Sequence, residues 1–315
     1  ISKEGIYMSF FEYLLRLTSW PMTPPVLYGP FHLIAAFGGS AIAILAAWRF
    51  SSINNCNTNN RDNRRSFDQI MLVSGVILLI GELYKQLMNF YIVNNHAYDW
   101  WIFPFQLCSL PLYLCPLLIL IHNEKRHRIL CTFLLDFNMM GAVATFIDPS
   151  GIFHPYWTLT LHGVLWHLML IFVGFVIIFS RKADLTTKGF LRTLPLFAFF
   201  CLAAEVLNSI LHRFSAANLF YISPWEMSTQ LLFGDIDRTL GRPVGILLYI
   251  LAMIAGAWLI HNCQKNHSCR EHLCTPSACP SLRSVILTLT IQFPSFASGK
   301  CQLSSQQRSR ARMPV

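Results

Sequence analysis

Several side chains able to do chemistry stand inside otherwise apolar runs. Glu82 and Lys85 lie in "LIGELYKQLMNFY", and Gln106 and Cys108 in "FPFQLCSLPLYLCP". Asp136 and Asn138 lie in the run around 129–147, His162 and His167 in "LTLHGVLWHLML", and Glu205 and Asn208 around 193–212. A charge in hydrocarbon costs at least about 2.5 kcal/mol, so each asks for a role. Glu82 and Lys85 are three residues apart, share a helical face and can pair. A thiol becomes a nucleophile when an imidazole within hydrogen-bond reach takes its proton. At a rise of about 1.5 Å per residue, Cys108 and His162 both lie about 9 Å from one end of the bundle, and Lys85 about 12 Å. Asn138, Glu205 and Glu82 fall between about 10 and 16 Å on the same rise. Polar groups from five helices at one depth suggest a shared pocket. Each residue also has a plainer reading. Glu82 and Lys85 can be a self-neutralised structural pair. His162 and His167 can be interhelical hydrogen-bond partners, and Asn138 beside Gly141 can mark close packing. Cys115, Cys131 and Cys201 read as small apolar fillers.

"FPFQLCSLPLYLCP" breaks the pattern of a lipid-facing helix. Each proline removes a donor and frees a carbonyl one turn earlier, so Pro111 frees Leu107 and Pro116 frees Leu112. Lipid cannot satisfy such groups, and irregular backbone at membrane depth must face protein or a watered cavity. Gln106 and Ser109 are the expected local partners. The segment reads as the wall of a cavity or, more simply, as a proline-kinked packing helix.

These residues must be held by membrane-spanning elements. The chain has 315 residues, of which 54% are hydrophobic and 12% charged, with mean hydropathy +0.46. A soluble domain carries roughly a quarter charged residues. An all-α polytopic membrane protein is predicted, with about seven spans at 30–48, 68–92, 102–121, 129–147, 156–180, 193–212 and 243–261. Loops 49–66, 122–128 and 181–192 are rich in Lys and Arg, whereas 93–101 and 148–155 hold none. This alternation puts the N-terminus outside and the C-terminus in the cytoplasm. The net charge of +9 is then a topology signal, and no nucleic-acid partner is expected.

Three parts are expected: an interfacial segment 1–29, a transmembrane domain 30–262 and a tail 263–315. Ile1 at the first position points to a fragment or a trimmed chain, and residues 1–20 read as an interfacial helix, not a signal peptide. The tail is basic and Cys-rich. Cys263, Cys269, Cys274 and Cys279 are spaced unlike paired zinc ligands. Juxtamembrane palmitoylation fits them better, and a disordered cytoplasmic tail is the simplest reading. The sequon at Asn266 falls on the cytoplasmic side. The cysteines form no regular framework for disulfides.

The chain resembles the YwaF-like integral membrane proteins, the group that includes vertebrate transmembrane protein 164. The resemblance is carried by "GELYK" at 81–85, "FPFQLCSLPLYL" at 103–114, "NMMGAVATFIDPSGIFHPYWTLTLHGVLWH" at 138–167, "NLFYISP" at 218–224 and "GRPVGILLYIL" at 241–251. It covers roughly 75–262 and implies a seven-span fold. For the vertebrate branch it also implies an acyltransferase that moves fatty acyl chains between phospholipids, favouring ether lipids. That branch carries Asn-Pro-Cys-His in the third span, its cysteine being the acyl carrier, and Gln-His in the fifth. Here Pro104 stands at the motif proline, Phe105 in the cysteine's place and Gln106 in the histidine's. Leu161-His162 stands where Gln-His does. Phe103–Cys108 is closer to the bacterial Leu-Pro-Leu-His-Leu-Cys.

Cys108 lies three residues after Phe105, one turn deeper on nearly the same face, and can replace the missing thiol if His162 faces it. Cys108 and His162 are the candidate catalytic pair, with Lys85 or Gln106 as oxyanion donors. Glu82, Lys85, Gln106, Asn138, His167 and Glu205 are the candidate substrate-binding residues. No metal, cofactor or protein partner is expected, and membrane lipids are the expected partners. The other reading is a non-catalytic pocket: a transporter, or a binder of lipids or small molecules. A G-protein-coupled receptor does not fit, because "HNEKR" follows the third span where Asp-Arg-Tyr would stand and the seventh lacks Asn-Pro-x-x-Tyr. No inverted repeat supports a transporter.

Overall fold

A computed structural model describes the backbone of residues 10–55 and 60–273 and the side chains of 10–52 and 62–266. The compact helical unit ends at Asn266, and the last helix continues to Leu273. The expectations for the tail beyond 273 lie outside the described residues.

Among the described residues no strand is present, and the helices are α1 Phe10–Thr18, α2 Pro30–Ser52, α3 Asp62–Val93, α4 Leu107–Leu120, α5 Glu124–Ile147, α6 Trp157–Phe179, α7 Thr187–Leu211, α8 Phe233–Leu240 and α9 Arg242–Asn266. Six of them, α2, α3, α5, α6, α7 and α9, are long and apolar enough to cross a membrane. Their outer faces carry large exposed side chains such as Phe37, Ile42, Ile80 and Leu202, as a hydrocarbon solvent requires.

The predicted third span differs from the rest. Its helix, α4, is about 21 Å long at about 1.5 Å per residue, short of the roughly 30 Å of hydrocarbon. Both ends of this stretch are tied to α3. Gln86 Nε2 donates to Ile102 O at 2.8 Å, and Arg64 donates to Ile121 O. The chain therefore runs the length of α3, but its first part is irregular backbone at Phe103–Gln106 followed by a 3₁₀ turn, Leu107–Ser109. Pro111 does not kink a helix. It occupies the first turn of Leu110–Leu117, where its missing N–H would have no partner anyway.

Local signals set the other boundaries. The Asn123 side chain accepts from Arg126 N at 3.1 Å and starts α5 five residues earlier than hydropathy alone suggested, with Glu124 favourably placed in the first turn. Thr186 accepts from Gly189 N at 3.0 Å and opens α7. A π-helical turn at Leu134–Asn138 interrupts α5; such bulges re-aim side chains and recur at functional positions. Phe137 stacks on Phe133 and Phe197 with ring centroids 5.0 and 4.5 Å apart, closing the core between α5 and α7.

α1 docks on the end of the bundle that carries residues 94–99 and 148–156. Thr18 Oγ1 and Tyr84 Oη are 3.0 Å apart, Pro21 forms an antiparallel bridge with Tyr156, and Trp20 stacks on Trp157. Glu12 is buried and pairs with Arg16 at 2.8 Å.

α4 packs against α3 where Gly75 leaves no room for a side chain. A Cβ there would come within 2.4 Å of Pro116 Cδ. Both the proline ring and the α3 backbone are rigid, so neither can give way. Gly75→Ala is expected to cost about 1–3 kcal/mol, read as a lower midpoint of thermal unfolding in detergent. An unchanged midpoint would mean that α4 does not hold this position against α3.

Candidate functional site: a cavity walled by broken backbone

The space left by the short α4 is a cavity of about 740 Å³, within the range of pockets that bind small molecules. Its polar wall includes Glu82, Lys85, Cys108, His162 and His167, and its apolar wall includes Met140, Leu159, Trp166, Tyr249 and Met253. Residues Trp101–Phe103, Asp148, Ser150, His154 and Gln230 rim the end on which α1 docks.

Glu82 is buried. Its Oε1 accepts from Lys85 Nζ at 2.8 Å and from Gln86 Nε2 at 2.6 Å, while Oε2 has no partner. Tyr98 Oη donates to Gln86 Oε1 at 2.8 Å, extending the chain of bonds to the loop. The pairing expected from the three-residue spacing is therefore present, and it faces the cavity.

Gln106 does not serve the freed carbonyls of its own segment. Its Nε2 donates to Asn218 O at 3.1 Å, and its Oε1 accepts from Phe220 N at 2.8 Å. Leu107 O is satisfied by Leu110 N and by Asn138 Nδ2 at 2.7 Å. Asn138 thus lies behind the cavity wall, clamping the broken segment to α5. Phe105 packs between Phe200 and Phe220.

Cys108 is fixed through its backbone. Trp166 Nε1 donates to Cys108 O at 3.0 Å, and the same indole lies against the His162 ring at 5.4 Å between centroids. The thiol and both imidazoles border one cavity, yet no hydrogen bond joins Cys108 Sγ to either ring among the described residues.

The two imidazoles differ. His162 Nε2 is sealed from solvent with no hydrogen-bond partner, turned toward Gly81, where a Cβ would sit 3.4 Å away. His167 Nδ1 lies 2.8 Å from Gly163 O. A carbonyl only accepts, so Nδ1 carries the proton and Nε2 holds a lone pair. On the rim, His154 Nδ1 accepts from Tyr156 N at 3.2 Å, and burial lowers its pKa below the ordinary imidazole value.

Glu205 is not brought to the cavity. It is part-exposed on α7, its carbonyl accepting from Ser209 Oγ at 2.9 Å. Its neighbour Asn208 is buried and brackets Leu219, accepting from its N at 2.8 Å and donating to its O at 3.1 Å.

Several contributing residues escaped the sequence reading. Arg242 holds the segment 218–237 together. It donates to Ser223 O at 2.7 Å and to Tyr221 O at 2.9 Å, and it pairs with the buried Asp237 at 2.7 Å. Asp237 also accepts from Ser228 N at 2.6 Å. These bonds hold Phe220, Tyr221 and Leu232 at positive φ of 56, 55 and 69°, a conformation that costs each about 1–2 kcal/mol. Phe220 and Tyr221 line the cavity. The available signals were Arg242 at a span entrance and "NLFYISP", whose strain no hydropathy pattern reveals. Deeper in the other half, His261 Nδ1 lies 2.9 Å from Asp136 Oδ2, and both side chains are fully buried. No group of three His, Cys, Asp or Glu side chains among the described residues is arranged to hold a metal ion.

A bundle of apolar helices around an internal cavity bordered by an ion pair, a thiol and two imidazoles defines an integral, multi-pass α-helical membrane protein. A model of the TMEM164 family matches residues 27–260, and the chain belongs to that family. No curated protein and no solved structure matches it.

Proposed function

We propose that this chain moves fatty acyl groups between phospholipids, with Cys108 as the acyl carrier and an imidazole of α6 as proton acceptor, His162 by the family's motif. One observation supports this above the others: Cys108, His162, His167 and the Glu82–Lys85 pair, from three separate helices, border one cavity inside a membrane domain. With the basic loops 49–66, 122–128 and 181–192 on the cytoplasmic side, as the positive-inside rule expects, the cavity belongs to the outer half of the membrane and the N-terminus lies outside.

In the first half-reaction the thiol loses its proton to the imidazole and sulfur attacks the ester carbonyl of the donor lipid. The C–O bond breaks, and the lysolipid oxygen leaves with that proton. The acyl group remains as a thioester. An acceptor hydroxyl then attacks the thioester carbon, the C–S bond breaks, and the thiolate recovers a proton. Lys85 is the cation nearest in role to an oxyanion donor.

Protein reconstituted in vesicles with an isotope-labelled donor phospholipid and a lysophospholipid acceptor is expected to transfer label. Cys108→Ser should lower the rate about 100-fold or more, because a hydroxyl is the weaker nucleophile without a strong base. The lack of a Cys108 hydrogen bond to either ring favours a second reading, a cavity that binds an amphiphile without chemistry. Transfer at the wild-type rate in Cys108→Ser, or no transfer by the wild type, would move the assignment to that reading.

A further inference from the structure

We propose that a second pocket, built from residues of the basic loops 122–128 and 181–192 and the helices they open, binds a phosphomonoester through Lys125 and Arg128. This pocket has a volume of about 210 Å³ and lies between the start of α5 and the start of α7. Lys125, Arg128, Ile129 and Thr132 follow the spacing of one helix face, and that face of α5 forms one side. Asp184, Gly189 and Arg192 form the other. The two sides are locked together. Asp184 N donates to Thr132 Oγ1 at 2.9 Å, and a Cβ at Gly189 would collide with Asp184 O, so the first turn of α7 sits tightly on residue 184.

The charges do not cancel within the pocket. Both oxygens of Asp184 are committed: Oδ1 accepts from Thr186 N at 3.2 Å and from Thr186 Oγ1 at 2.7 Å, and Oδ2 lies 3.4 Å from Arg192 Nη1. The side chains of Lys125 and Arg128 have no hydrogen-bond or ion-pair partner among the described residues. Two unopposed positive charges thus stand beside a third that is shared. Helix stability does not ask for them, because cations in the first turns of a helix oppose its dipole. The positive-inside rule asks for basic residues in these loops, and Arg65, Arg126 and Lys188 meet that demand from outside the pocket. Convergence of three cations on one concave site needs a further cause, and an anion supplies it.

Two open charges match a phosphomonoester, which carries about −1.5 to −2 at pH 7 and presents three acceptor oxygens. Arg128 and Arg192 offer planar donor forks and Lys125 a point charge, the donor types that phosphate oxygens take. Lys125 and Arg128 are exposed, so the anion can enter from the headgroup layer or from water. Basic pockets between membrane helices on the cytoplasmic side hold anionic lipid headgroups, and a soluble phosphomonoester presents the same group. This pocket shares no residue with the cavity around Cys108, and the inference is independent of acyl transfer.

Titration calorimetry of the full-length protein in detergent tests the site, with dioctanoyl phosphatidic acid as the phosphomonoester lipid and glycerol 3-phosphate as its soluble counterpart. Dioctanoyl phosphatidylserine and phosphatidylcholine, both phosphodiesters, are the comparison lipids. Phosphatidic acid is expected to bind about tenfold or more tightly than either. Lys125→Gln and Arg128→Gln should each weaken it about fivefold and leave thermal unfolding unchanged, because neither side chain holds another. Arg65→Gln removes the same charge outside the pocket and should change binding less than about twofold. Displacement of the lipid by glycerol 3-phosphate would show that the phosphate group alone fills the site; phosphatidic acid that glycerol 3-phosphate does not displace would assign the site to a membrane lipid. Phosphatidic acid bound no more tightly than phosphatidylserine, with no binding of glycerol 3-phosphate, overturns the proposal. Equal losses in Lys125→Gln, Arg128→Gln and Arg65→Gln also overturn it, because binding would then belong to the diffuse charge of that face.

Discussion

Replacing His261 by leucine is expected to destabilise the protein by about 3–5 kcal/mol, the cost of leaving one member of a buried pair alone. His261 Nε2 lies 3.1 Å from Thr186 O and must donate there, so the ring's other nitrogen shares a proton with Asp136 Oδ2 at 2.9 Å. Asp136 Oδ1 already lacks a partner; without the imidazole neither carboxyl oxygen would have one. The pair joins α5 to α9 and, through Thr186, to the start of α7. Phe190 and Trp258 stack around the ring, with centroids 5.4 and 5.8 Å away, so water cannot take the vacated place. Thermal unfolding in detergent micelles should show the loss. The double change Asp136→Leu, His261→Leu should recover most of it, because two apolar side chains leave no orphaned charge. A double variant as unstable as the single one would mean that the two residues do not act as partners.

The second large effect concerns the cavity wall. Glu82→Gln leaves the Lys85 ammonium without its carboxylate. The Lys85 side chain is 23% exposed, so part of its charge stays solvated. The cost should therefore fall below that of a sealed pair, at about 2–3 kcal/mol. Glu82→Gln with Lys85→Met should restore stability. Restored stability with lost acyl transfer assigns the pair to the ligand; a double variant no more stable than Glu82→Gln alone would remove the ion pair as the explanation.

Much of the scaffold was legible in the sequence. Length and apolar content locate a crossing directly, and six of the seven predicted spans have helices of membrane-crossing length. The third was overestimated because hydropathy counts apolar residues, whatever backbone they adopt. The stretch 102–121 is apolar enough for a span, but its start, Phe103–Gln106, is irregular and leads into a 3₁₀ turn. Of its prolines only Pro104 lies in that irregular stretch; Pro111 stands in the regular first turn of the helix that follows, although Phe103 and Gln106–Ser109 do line the cavity.

Depth was also informative. Similar rise brought Glu82, Lys85, Cys108 and His162 to one cavity, and it put Asn138 at the right level to clamp Leu107 from behind. Depth says nothing of rotation about the helix axis, and rotation is set by packing with distant segments. Glu205 shares the level and faces elsewhere for that reason. His261 and Arg242 stand near span ends, where a polar side chain is ordinary. Only the fold reveals that one meets Asp136 and the other gathers the backbone of 218–237.

The central claim is a covalent one, and mass spectrometry of the peptide containing Cys108 tests it most directly. After incubation with donor phospholipid and rapid acid quench, the peptide should gain the mass of one acyl chain. The addition should be released by hydroxylamine and absent from Cys108→Ser. Transfer of label between phospholipids with an unmodified Cys108 peptide and an active Cys108→Ser variant would contradict the thiol carrier.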